Sequence, residues 1–164
     1  MVNALHIDTN SVLSDMYDIS MRNPDTEMAI AGWSKTVSDT TVNLQYVLEY
    51  TWAQKDAWKV SLSPDAQQET HEKIQAKWYT LMAQWHQHLE KENHAHDFSP
   101  EDEKAIKQQK PPVHILSYKT NNNTVRFKAV DTTMRPVPIY VQGTRMDIAE
   151  IFADGKVEEY KDVN

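Results

Sequence analysis

Four histidines fall within eleven residues, His86, His88, His94 and His96, and Glu90, Glu92 and Asp97 stand among them. Imidazoles and carboxylates in one stretch are the donor set of a divalent-metal site, so a centre drawn from His86, His88, Glu92, His94 and His96 is the first chemistry the chain suggests. The surrounding pattern predicts a helix, however, and at about 100° per residue His86 and His88 then stand roughly 160° apart. One ion cannot reach both. The i+4 partners on such a helix are Glu90 for His86 and Glu92 for His88, a spacing suited to surface hydrogen bonds. On this reading the cluster is a solvated helix end, and no metal or other cofactor is expected.

Other chemistries find even less support. His88-Leu89-Glu90 has the His-x-Glu form of a zinc deaminase, but that site needs a Pro-Cys-x-x-Cys partner and the chain has no cysteine. There is no His-Glu-x-x-His, Gly-rich phosphate loop or Gly-x-Ser-x-Gly elbow, and three glycines are too few to cradle a phosphate. His114, with Tyr118 or Asp131 near it, is the remaining His-based catalytic candidate; a strand histidine is more often a hydrogen-bonded structural residue.

The element that would carry the His cluster is a long one. Ser63 caps, Pro64 opens, and Ile74, Trp78, Leu81, Met82, Trp85 and Leu89 follow at steps of three and four. About 29 residues at 1.5 Å each predict a rod of roughly 43 Å. Asn23-Pro24 and Ser99-Pro100 announce two more helices, over about 24–35 and 100–109, each with acidic residues in its first turn. Asn10 to Met21 and Asp39 to about Lys59 complete the set. The last of these has a ragged start, because Thr40, Thr41 and Val42 are β-branched. A short connection at 60–64 would fold it back on the long helix as an antiparallel hairpin.

After Pro111-Pro112 the texture changes to β. Val113–Thr120 and Thr124–Asp131 read as a hairpin, with Val125, Phe127 and Ala129 on one face and Arg126 and Lys128 on the other. Val113–Thr120 is apolar on both faces, which predicts cover on both. Pro138–Gln142 reads as a third strand. Over 144–155, Ile148, Ile151 and Phe152 have helical spacing, but Asp154-Gly155 favours a hairpin turn, which is the preferred reading.

The net charge is −7, and all of it lies in residues 1–112, where seventeen acidic residues face ten basic ones. Such a surface repels phosphates, so direct nucleic-acid binding is not expected. No apolar run approaches the roughly 20 residues of a membrane span. The N-terminus lacks the form of a signal peptide, and the missing cysteines fit a cytoplasmic protein.

These observations predict an α+β fold: a helical region over 1–110 with a long antiparallel helix hairpin, then a small antiparallel sheet of four to five strands over 113–164, packed on it. The expected function is that of a non-enzymatic interaction module, a small regulatory, inhibitory or assembly protein. It would associate with another protein or with itself through Trp78, Met82, Trp85 and Leu89. An acidic decoy for a nucleic-acid-binding site, using Asp97, Glu101, Asp102 and Glu103, is one alternative. A His/carboxylate metal-dependent enzyme is the other.

Overall fold

The computed structural model describes residues 2–22, 28–34, 40–49, 54–55, 60–61, 72, 80–88, 100–108 and 112–161. Among them, strands far outnumber helices: fourteen strands stand against two short helices. In chain order the elements begin with β1 (Ala4–Ile7), α1 (Asn10–Arg22), β2 (Met28–Ser34), β3 (Thr41–Asn43) and β4 (Tyr46–Glu49). The two-residue strands β5 (Gln54–Lys55) and β6 (Val60–Ser61) pair only with each other. Next come β7 (Thr80–His88), α2 (Pro100–Gln108), β8 (Val113–Lys119), β9 (Val125–Asp131) and β10 (Pro136–Val137). The chain closes with β11 (Ile139–Val141), β12 (Thr144–Met146), β13 (Ala149–Ile151) and β14 (Val157–Glu159).

Two mixed sheets carry the fold. The larger has the order β14-β13-β9-β8-β7-β2-β4, with β10 also paired to β9. Its neighbours are antiparallel except for β7 and β8, which run parallel. A parallel pair needs a crossover of a dozen or more residues, and α2 lies in that connection. The smaller sheet has the order β12-β11-β1-β3, with β1 parallel to both of its neighbours.

α1 packs where its spacing says it should. Val12, Leu13, Met16 and Ile19 are buried along one side and meet Leu5, Val47, Trp85, Ile115 and Phe127 in one continuous core. The other face of the large sheet has its own cover, since Leu116, Tyr118 and Val130 are buried outside that core. Glu103 of α2 lines a cleft of about 510 Å³ with Lys128 and Val130 of that face. Ile106 of α2 is buried too.

The predicted helix hairpin is not what the chain forms. Residues expected in a helix over 24–35 include β2, and those expected over 39–59 include β3, β4 and β5. The β-branched start at Thr40–Val42 already pointed that way: such side chains pack well on a pleated surface and crowd a helical turn. The long rod fails at its C-terminal third, where Thr80–His88 is strand. The rest of that rod, apart from the helical residue Glu72, lies outside the described residues. Within β7, Ala83, Trp85, Gln87 and His88 are all buried, so both faces are covered. A strand buried on both faces loses its period-two signature, and apolar residues at helical spacing then mimic a helix.

In the second half single elements agree with expectation, but the separate antiparallel sheet of four to five strands does not form. Its seven strands are divided between the two mixed sheets and pair there with strands of the first half. β8 and β9 form the predicted hairpin, with β8 buried along six of its seven residues. Pro136 sits on a two-residue edge strand, where its missing N–H is tolerated. The Asp154-Gly155 turn joins β13 to β14, through a loop rather than a two-residue turn. No helix among the described residues is long and apolar enough to cross a membrane.

Candidate metal centre

β7 lies inside the large sheet, between β2 and β8. Its core-facing residues are Ala83, Trp85 and Gln87; alternation turns Gln84, His86 and His88 to the opposite face. Across the ladders, His86 stands opposite Ala29 of β2 and Leu116 of β8, while His88 stands opposite Tyr118. The two imidazoles meet in a hydrogen bond: His86 Nε2 and His88 Nε2 are 3.1 Å apart, with ring centroids at 4.8 Å and planes at 58°. His88 is buried and His86 half-buried. The helical geometry that separated them is replaced by a strand geometry that joins them.

Behind the pair, on the core face, polar groups run in a line through an otherwise apolar interior. Trp85 Nε1 donates to Ser117 Oγ at 2.7 Å, Ser117 Oγ donates to Gln87 Oε1 at 3.3 Å, and Gln87 Nε2 donates to the Ser20 carbonyl at 3.3 Å. All four residues are buried. Ser20 belongs to the last turn of α1, where a helix leaves carbonyls without intrahelical donors, so Gln87 supplies one from the sheet.

Further along the His-bearing face lies a charged group. Arg126 Nε donates to Glu150 Oε2 at 3.0 Å, and Thr124 Oγ1 donates to the same oxygen at 2.6 Å. The guanidinium lies 3.7 Å over the Tyr160 ring and 5.9 Å from that of Tyr118. Every group in it has a partner. Asp131 is on the core face at the end of β9, opposite Val113, and its Oδ1 accepts from Thr133 N, Thr133 Oγ1 and Arg135 N. Burial pushes this carboxyl up, but the Thr133 hydroxyl, the two backbone N–H groups and the Arg135 charge outweigh it, so it sits below the ordinary carboxylate range.

The residues singled out by sequence thus scatter. Trp85 is buried with its indole N–H committed to Ser117, and Met82 is half-buried against the core. Trp78 and Leu89 lie outside the described residues, as do Glu92, His94, His96 and Asp97. Glu101 and Asp102 belong to α2, and Glu103 pairs with Lys107 at 2.9 Å one turn on. His114 shares a face with Tyr118, and Asp131 is on the other, which rules out a direct His114–Asp131 pair. Among the described residues no third His, Asp or Glu joins His86 and His88 in a group that could hold a metal. The sequence missed Ser20, Gln87 and Ser117; a serine between Leu116 and Tyr118 in an otherwise apolar strand was the available signal, while Gln87, between two histidines near the end of β7, gave none.

The architecture is shared. The chain is similar to protein DSY2949 from Desulfitobacterium hafniense, at 10% identity and a TM-score of 0.64, over 85% of this chain and 94% of that one. A looser likeness links it to AF2198, a JAB1/MPN domain protein from Archaeoglobus fulgidus, at 12% identity and a TM-score of 0.44, over 84% and 97% of the chains. The first shows the fold alone, and the second is too loose to show one. No family model and no curated protein matches the sequence.

Proposed function

We propose that this protein is a metal-dependent hydrolase that holds a divalent transition metal, zinc in the first instance, on His86 and His88. The carrying observation is the imidazole pair. Two nitrogens bound to zinc at 2.0–2.1 Å in tetrahedral directions stand about 3.3 Å apart, close to the 3.1 Å between the two Nε2 atoms. A strand is a stiff support for such a bite, since β7 is paired along both edges.

Zinc in a hydrolytic site takes three protein ligands and keeps one position for water. Two imidazoles leave the third to a neighbour, and the sequence around β7 is rich in carboxylates. Glu27 is the residue before Met28, and Met28 pairs with Gln87. Asp97, Glu101 and Asp102 follow in the crossover to β8. A third ligand and a base would have to come from carboxylates such as these. A metal held there would supply a water with its pKa lowered to about 7 and a Lewis acid for the oxygen of the scissile group. A carboxylate acting as base would take the proton from the attacking water and return it to the leaving group, so that hydroxyl goes to one fragment and hydrogen to the other.

This reading replaces association along a rod, because the rod's C-terminal third is a strand with Trp85 inside it. The test is catalytic. Protein stripped with a chelator and reloaded with zinc is assayed on a panel of fluorogenic amide and ester substrates. Activity that returns with zinc, and that falls by at least about 100-fold in His86→Ala and in His88→Ala, is the expected outcome. Activity absent from every substrate, or indifferent to both chelator and histidines, would refute the proposal.

A further inference from the structure

We propose that the cleft between α2 and the turn after β9 is a binding site for a small cationic amphiphile, an organic amine with a flat apolar body. It lies over β9, two strands away from β7, and needs no metal.

Its apolar lining comes from Val130, Met134, Pro136 and Ile148, and its volume of about 510 Å³ is that of an ordinary small-molecule pocket. Two of the walls are fixed by hydrogen bonds within the protein. On one side, Met134 N donates to the Asp131 carbonyl at 3.0 Å and Asp131 N donates to the Arg135 carbonyl at 2.9 Å. On the other, Tyr160 N donates to the Ile148 carbonyl at 2.9 Å, and Asp147 N donates to Glu159 Oε2 at 3.2 Å. A ligand that enters walls already held need not supply the energy to order them.

Met134 is the informative residue. Its φ of 69° lies in the left-handed region, which glycine and asparagine accept far more readily than a long apolar side chain. A glycine would close this turn with less strain. The methionine instead stays half-buried and lines the cleft with an adaptable, polarizable thioether. Backbone strain held in place by its surroundings is a recurrent feature of ligand clamps.

Charge selects the occupant. Glu103 and Asp147 line the cleft together with one cation, Lys128, which already interacts within the protein. Glu103 also pairs with Lys107 at 2.9 Å, and Asp147 with Arg145 at 3.9 Å. Both pairs are exposed, and exposed pairs are worth little. A ligand ammonium therefore competes with Lys107 and Arg145 on near-equal terms and gains the apolar walls in addition. A ligand carboxylate meets two like charges.

The test uses three probes that share one ring and differ in charge: tryptamine, indole and indolepropionate. Each is titrated into full-length protein stripped of metal with a chelator, and binding is followed by amide NMR. Tryptamine is expected to give saturable shifts at Val130, Met134 and Ile148 with roughly millimolar affinity. It should bind about 5-fold or more tighter than indolepropionate. Asp147→Asn should weaken tryptamine by about 2–5-fold and leave indole unchanged. Met134→Asn, which keeps a residue suited to the left-handed turn, should retain the fold and weaken all three probes by about 5-fold through the lost apolar contact. No saturable shift at these amides with any probe overturns the proposal. So does indolepropionate binding as tightly as tryptamine, or a folded Met134→Asn that binds tryptamine like the wild type.

Discussion

Asp131 shows how much one side chain can organise. Its Oδ1 collects two backbone N–H groups and a hydroxyl while Arg135 reaches Oδ2 at 3.2 Å, closing the turn after β9 in which Met134 adopts φ 69°. A carboxyl whose folded-state pKa lies below the unfolded value of about 3.9 adds stability above that value and loses it as pH falls through the folded one. The direction is set by hydrogen bonds and the Arg135 charge overcoming burial. Asp131→Ala is expected to cost about 2–4 kcal/mol at pH 7 in denaturant unfolding. The gap to wild type should narrow as pH drops below about 4, because the wild type then loses the same contribution. A gap constant down to pH 2 would mean that the carboxylate charge does not matter.

At the scale of elements, the two halves of the chain were unequally legible. β9 announced itself because one face is buried and the other half-exposed: Val125, Phe127 and Ala129 go in, Arg126 and Lys128 half out. The Asp154-Gly155 signal was local and physical as well. Gly155 has φ 88°, its N–H donates to the Phe152 carbonyl at 2.9 Å, and Asp154 Oδ1 accepts from Lys156 N at 2.9 Å. Gly155→Ala should therefore destabilise by about 1 kcal/mol through backbone strain alone, since a Cβ there meets nothing within 4 Å. An unchanged unfolding midpoint would contradict that account. β7 was illegible for the opposite reason. Alanine, leucine, methionine and glutamine suit a helix, burial on both faces hides alternation, and no local cue outweighs the apolar steps of three and four. Its misreading also hid the site, because the angle between His86 and His88 depends wholly on whether the segment is a helix or a strand.

For the whole molecule, the sheet decides where chemistry can happen. β7 sits between β2 and β8, the only parallel pairing in the large sheet among the described residues is β7 with β8, and the crossover it requires carries α2 over the His-bearing face. The core behind is continuous from α1 to β13, while the face ahead holds the imidazoles, a cleft and the Arg126–Glu150 pair. The most direct measurement is the metal content of protein purified without chelating resins or chelators, followed by zinc titration of the stripped form. About one zinc per chain, lost together in His86→Ala and His88→Ala with the fold intact, is the predicted result. A wild type that neither carries nor takes up zinc or any other divalent transition metal, and that matches the double variant His86→Ala/His88→Ala, would contradict it.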